Sequence, residues 1–192
     1  MKDLEKLKEI TKILLKEIGE DSNREGLIKT PDRVAKAWEF FSRGYRANVH
    51  DIINGAIFEE DCSEMIVVRD IEFFSMCEHH MLPFFGKVHI AYIPNEKVFG
   101  ISKLVRLVEK YAKRLQIQER LTKQVADELH NMGVRGTLVL AEGDHMCMRM
   151  RGVKNNSKVM TIASRGELAN NELRGHIVSM IYSTKKEFTN LG

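Results

Sequence analysis

Residues 65–94 read MIVVRDIEFFSMCEHHMLPFFGKVHIAYIP. The opening MIVVRDIEFF is dense in β-branched and aromatic residues, which suit a pleated, half-buried surface. The closing GKVHIAYIP alternates, with Val88, Ile90 and Tyr92 on one face. Both ends predict strands. The connection between them carries Cys77, Glu78, His79 and His80 in succession, then a Pro-Phe-Phe-Gly step at residues 83–86. A thiol, a carboxylate and two imidazoles in a row make a poor ordinary turn, so this strand pair predicts a site as well as a fold.

Upstream, LEKLKEITKILLKEI places Leu4, Leu7, Ile10, Leu14 and Ile18 at three- and four-residue steps, which predicts an amphipathic helix. DSNREG breaks it, and KTPDRVAKAWEFF predicts a second helix with Thr30 as N-cap, Pro31 at the first helical position and Asp32 in the first turn. Trp38 and Phe41 are expected to pack inward from it. Downstream, PNEK reads as a turn, and GISKLVRLVEKYAKRL and QERLTKQVADELHNMG as two amphipathic helices, the second closed by Gly133. VRGTLVLAEGDHMCMRMRG predicts strand, turn, strand; SKVMTIAS predicts one more strand; ELRGHIVSMIYSTKKEF predicts a closing helix weakened by Gly175. This order predicts an α+β fold with an antiparallel sheet, with an N-terminal helical segment (1–60) expected ahead of the sheet-bearing domain (61–192).

The bulk numbers exclude several classes. In 192 residues, 43% are hydrophobic, 30% charged and only 3 are proline, which argues against disorder or a fibre. A net charge of +3 is too mild to imply nucleic acid. The start, MKDLEKLKEI, has no apolar core, so no signal peptide is expected, and no apolar run approaches the roughly 20 residues that span a bilayer. Cys62, Cys77 and Cys147 are too few and too scattered for a disulfide framework. A reducing cytoplasm is expected, where thiols beside histidines bind metal or do chemistry.

DHMCMRMRG, residues 144–152, supplies a second reactive cluster. Read as a strand, it puts His145, Cys147, Arg149 and Arg151 on one face and Met146, Met148 and Met150 on the other. The first face is costly to bury unless it lines a polar cleft, and the methionine face is expected in the core. Cys77-x-x-His80 and His145-x-Cys147 are then two clusters of soft ligands. Two thiolates and one imidazole, from Cys77, His80 and Cys147, would serve a catalytic zinc that keeps its fourth position open. His79 and His145 would remain for proton transfer. From spacing alone, a structural four-ligand zinc site or no metal at all stay open as alternatives.

A third cluster suits phosphate. Ser102 and Lys103 lie at a predicted helix start, with Arg106 one turn on, where unpaired amides and the helix dipole favour anions. With Arg151 they could form a small cationic pocket, whereas Lys110, Lys113 and Arg114 read as a solvated helix face. Gln118 and Glu119 precede another helix, and a carboxylate there could accept two hydrogen bonds from an amidine edge such as guanine's, or simply favour the helix start.

Laid out together, SMCEHHMLPFFGKVHIAYIP, GISKLVRLVEKYAKRLQIQERLTKQVADEL and HMCMRMRGV resemble GTP cyclohydrolase I in order and spacing, nearly unbroken from Val68 to Lys158, with KTPDRVAKAW matching upstream. The resemblance implies a tunnelling fold whose subunits join their sheets into a toroidal barrel, a decamer of two stacked pentamers. It implies zinc on Cys77, His80 and Cys147, and GTP as substrate. Hydrolysis at guanine C8 would release formate, and rearrangement would give 7,8-dihydroneopterin triphosphate for folate or tetrahydropterin synthesis. Glu119, with Gln118 beside it, would hold the guanine edge. Ser102, Lys103, Arg106 and Arg151 would bind the triphosphate, Arg33 would come from a neighbouring subunit, and His79 and His145 would move protons. The sequence departs from the family at KVMTIASRGELANNELRGHIV, where the usual threonine- and serine-rich strand keeps only Thr161 and Ser164. Cys62 matches no family role.

Overall fold

The structure, a computed structural model, describes residues 4–183. Its centre is a five-stranded sheet in the order β5-β2-β3-β6-β7. Strands β2 (Ile66–Cys77) and β3 (Pro83–Ile93) form the expected hairpin, with β6 (Gly136–His145) and β7 (Val159–Gly166) antiparallel beyond β3. β5 (Leu115–Gln116) adds two residues parallel to the end of β2. A separate pair joins β1 (Ile57–Glu59) to β4 (Lys97–Phe99).

Helices α4 (Ile101–Ala112) and α5 (Gln118–Asn131) cover one sheet face, and the main core lies between them and the strands. Val88, Ile90 and Tyr92 enter that core together, as the alternation predicts. Gly133, at φ +93°, follows the end of α5 in the left-handed conformation expected of a residue just past a helix. The other sheet face takes α7 (Asn171–Ser183), whose Ile177 and Ile181 pack with Leu168 on Ala91, Leu138 and Leu140. The part of the expected closing helix after residue 183 lies outside the described residues.

A β-bulge in β2 sets which way the site points. Before it, Val68 pairs with Ile90; after it, Ile71 pairs with Val88, so β2 has gained one residue on β3. Ile66 and Val68 pack on the core before the bulge, and Ile71, Phe73 and Cys77 belong to it afterwards. Core-facing parity thus switches from even to odd positions. Asp70 takes the strained conformation, φ +60°, and its N–H donates to Nδ1 of buried His89 at 3.2 Å. Without that extra residue, Cys77 would point away from the core.

The N-terminal helices α1 (Leu4–Glu17) and α2 (Thr30–Phe41) pack on each other. Their details depart from the sequence reading. α1 buries Thr11 and Leu15 against its neighbour, while Ile10, Leu14 and Ile18 of the expected stripe stay exposed. The helix carries two apolar rows, and one chain covers only one. Thr30 makes no capping bond to the first turn; Asp32 anchors that turn instead, through Lys36 at 2.7 Å and Lys8 of α1 at 3.2 Å. Trp38 and Phe41 are half-buried and meet edge to face. Beyond them, the chain passes Gly44 and the short α3 (Val49–Ile53) before β1. Gly44 is pressed against the end of α4: a Cβ there would lie 2.0 Å from Lys110 O. Its N–H donates to Lys113 O at 3.0 Å, and its carbonyl accepts from Arg114 Nε and Nη2 at 3.2 and 3.0 Å.

The stretch after β6 also differs from expectation. β6 stops at His145, and Met146–Arg149 form one helical turn, α6. The ladder partners have run out: β3 begins at Pro83, just before Phe84 meets His145, and β7 begins at Val159, opposite Gly143. Unpaired backbone therefore closes on itself, with Met150 N–H on Met146 O at 3.0 Å. The predicted reactive strand face of His145, Cys147, Arg149 and Arg151 does not exist as such. Nor do the methionines form a core face: no residue of α6 is buried, and Met150 is 59% exposed.

Candidate functional site

The hairpin turn is fixed from two sides. Cys77 N–H donates to Leu82 O at 2.8 Å and Met81 N–H to Cys77 O at 2.8 Å, with Met81 at φ +54°. From β5, Gln116 O accepts the Glu78 N–H at 2.9 Å. Cys77 itself is 5% exposed, while His79 and His80 project outward. Glu78 is held in a two-point clasp by Arg120 of α5, one arm of it 3.1 Å long. That guanidinium keeps the Glu78 carboxyl below the usual carboxylate range.

The α6 turn brings Cys147 back over this hairpin end. Its sulfur, the Cys77 sulfur and a ring nitrogen of His80 all lie within 4.8 Å of one another. Zinc bonds of roughly 2.0–2.3 Å give a tetrahedron with edges of about 3.3–3.8 Å, so a modest closure would seat the ion. The chemistry of the donors fits as well. Burial, and then the neighbouring Cys77, push the Cys147 thiol up, a penalty that a cation between two sulfurs removes. The group is buried at Cys77 and exposed at His80, which leaves one side accessible.

Two more histidines flank this cluster. His79 Nδ1 lies 3.9 Å from the Cys77 sulfur, and its Nε2 4.0 Å from Glu78 Oε1. His145, at the end of β6, stacks on the Phe84 ring at 4.7 Å between centroids and 8° between planes. Its Nε2 meets Gln118 Oε1 at 2.8 Å. Burial pushes the His145 pKa down, against the pull of the Glu119 and Asp144 charges.

The other sequence candidates spread further. Ser102 and Lys103 sit in the first turn of α4 and Arg106 in the second, where Arg106 lines a cleft of about 360 Å3 with Arg43, Arg46 and Lys110. The far end of α4 leads to β5, beside Cys77. Ser102 precedes Ala112 by ten residues, about 15 Å of helix, so the helix start stands well away from its own thiols. Glu119, exposed in the first turn of α5, lines a cleft of about 470 Å3 with Thr161, Ser164 and Arg165. Arg151 is exposed just past α6, near enough to Cys147 for its charge to be felt there. Arg33 is exposed on α2. Gln118 is only 1% exposed, with its amide bonded inside the chain.

A model of the family described as GTP cyclohydrolase I matches residues 7–182. The chain belongs to the GTP cyclohydrolase I family. That family is an enzyme family, and the similar proteins bear the enzyme's name. A "GTP cyclohydrolase 1" of Campylobacter jejuni (strain RM1221) is 54% identical over 184 residues, covering 94% of this chain and 97% of its own. One from Leptospira biflexa is 53% identical over 155 residues, covering 80% and 85%. A Pseudomonas aeruginosa protein named "GTP cyclohydrolase 1 2" is 49% identical over 171 residues, covering 88% and 94%. Among the described residues, no helix is long and apolar enough to cross a membrane.

The sequence reading singled out Cys77, His80 and Cys147, and the structure brings those three together. It overlooked the Arg120 clasp on Glu78, the Phe84 stack and the bulge. For Arg120, one signal existed: an arginine in the first turn of a helix is disfavoured by the dipole and calls for a carboxylate partner.

Proposed function

We propose that this chain is a zinc-dependent GTP cyclohydrolase that opens the imidazole ring of guanine by adding water at C8. A second water cleaves the resulting formamide and releases C8 as formate, and the ribose chain rearranges and closes, with loss of one water, to 7,8-dihydroneopterin triphosphate. The observation that carries this reading is the convergence of Cys77, His80 and Cys147 at a half-open site in a chain of this family. Those three side chains would hold the zinc, which when bound supplies Lewis acidity and water of near-neutral pKa. The remaining roles fall to the chain's own groups. His79 and His145, beside the cluster, move protons. Glu119 accepts hydrogen bonds from the guanine edge, while Ser102, Lys103, Arg106 and Arg151 supply cationic and N–H contacts for the triphosphate.

The separation along α4 bears on assembly. A helix start about 15 Å of helix away from the end that leads to Cys77 suits a site shared between copies, in which one chain's phosphate residues serve another's metal. Arg33, exposed on α2, would likewise serve a neighbour. The edge strands β5 and β7 offer unpaired backbone through which sheets could join into a toroid of two stacked pentamers. Residues 1–60 would form the helical arm of each subunit and 61–192 its catalytic unit. Three free cysteines suit a cytoplasmic setting.

The decisive test is incubation with GTP while formate and pterin fluorescence are followed together. Both should rise. Formate without pterin would mean an enzyme that stalls after ring opening, and neither, with tight GTP binding, would mean a non-catalytic nucleotide binder.

A further inference from the structure

We propose that Gln118 is a positioning residue that locks His145 as its Nε2–H tautomer and so presents Nδ1 as the nitrogen that exchanges protons. The proposal rests on the reading of His145 as a proton-transfer group and deepens it.

The orientation of the Gln118 amide follows from its surroundings. Its Nε2 lies 3.0 Å from Ala141 O and 2.9 Å from Val159 O, and 3.3 Å from the Thr161 hydroxyl. Both carbonyls can only accept, so the NH2 group must face them and the amide oxygen must face the other way. That oxygen is the atom 2.8 Å from His145 Nε2. A carbonyl oxygen has no proton to give, so Nε2 must carry the hydrogen. Flipping the amide would set its oxygen against two carbonyls in a site 1% exposed, at the cost of two hydrogen bonds.

The lock is built into the sheet. Ala141 and Val159 belong to β6 and β7, and Thr161 is 2.6 Å from Thr122, whose hydroxyl donates to Gln118 O at 2.8 Å. Gly143 lies directly against the amide oxygen: a Cβ there would come within 2.6 Å of Gln118 Oε1. Any larger residue would push the oxygen off His145. On its flat side the imidazole is held by Phe84, itself fully buried. Nδ1 makes no hydrogen bond among the described residues and is not one of their buried unpartnered atoms, so it is left reachable on a half-buried ring. A ring fixed by one stack and one hydrogen bond can present only that nitrogen.

The same observation reassigns Gln118. Its sequence position beside Glu119 implies a contact to the guanine edge, but its amide is already engaged within the chain.

The test reads tautomer and kinetics separately. In zinc-loaded protein labelled with 15N-histidine, with His145→Asn to assign the signal, neutral His145 should show a protonated Nε2 and a bare Nδ1. Gln118→Met, which keeps the volume and removes the amide, should give mixed tautomers and lower kcat about 10–100-fold. Zinc content should hold, and KM for GTP should stay within about threefold. Gly143→Ala should shift the tautomer in the same direction from the other side of the bond. A native Nδ1–H tautomer would overturn the proposal, as would a Gln118→Met variant whose defect lies in KM with kcat intact. Should Gln118→Met fail to fold, the native spectrum and Gly143→Ala decide. Failure of the underlying reading looks different: His145→Ala would turn over normally while the native tautomer remained as stated.

Discussion

The two segments that deliver the thiols are built on opposite plans. Cys77 ends a long strand, and three restraints fix it: the bulge that sets its direction, the turn bonded to Leu82, and the Gln116 carbonyl from β5. Cys147 rides on a single helical turn with no buried residue, formed where the ladder partners give out. One half of the site is held by the sheet, and the other by bonds of its own turn, among them Asn155 N–H to Met148 O at 3.1 Å and Arg149 to Asp144 at 3.0 Å. The sheet thus gives the site one rigid half, and a short local turn supplies the other.

Substitutions that remove either half should have the largest effects. Cys77→Ala and Cys147→Ala should each abolish both zinc retention, measured by metal analysis of purified protein, and turnover. Deleting Asp70 gives a sharper comparison, because every ligand stays in the chain. Removal of the bulge turns Cys77 to the opposite face, so a folded deletion variant should lack zinc. If it keeps one zinc per chain, the bulge does not direct the site.

Next in size is His145→Ala, which should leave the zinc content alone and slow turnover by roughly 10²–10⁴-fold. A rate within a factor of two of the parent would remove His145 from the chemistry. Arg120→Ala should act on the rigid half in a pH-dependent way. Because Arg120 holds the folded-state Glu78 pKa below its ordinary value of 4.5, the stability it lends is present above that value and fades as pH falls below it. Thermal melts of parent and variant should therefore differ near neutrality and converge in acid; a constant gap would show that the clasp acts through packing alone. The smallest effect should come from Met81→Gly, which relieves a left-handed backbone at φ +54° and should stabilise the turn by about 1 kcal/mol. A fall in melting temperature would show that the Met81 side chain contributes more than its backbone costs.

The same contrast explains what could be read from the sequence. β3 was legible because Val88, Ile90 and Tyr92 keep one parity among β-branched and aromatic neighbours, and the α4 and α5 helices because their apolar residues recur on one face. Cys77, His80 and Cys147 were legible by type. The bulge was not, because Ile66, Val67, Val68, Ile71, Phe73 and Phe74 put apolar side chains on both faces of β2, so no break in pattern marks the extra residue. The α6 turn was hidden for a tertiary reason. DHMCMRMRG alternates well enough for a strand, but a strand needs neighbours, and β3 and β7 both begin too late to provide them. The contact of Gln118 with His145 was not legible, because Ala141 and Val159, which fix the direction of its amide, become its neighbours only when the sheet is assembled.

Gly44 carries a mechanical consequence. Its backbone is seated so closely on the end of α4 that the α1–α2 arm, and Arg33 with it, takes its bearing from a joint with no room for a methyl group. Alanine at that position should unseat the arm while the sheet keeps its amide protection, so trypsin should cut sooner at Arg43 or Arg46. Reach toward a neighbouring molecule would then be a property of one hinge residue lying far along the chain from any reactive atom.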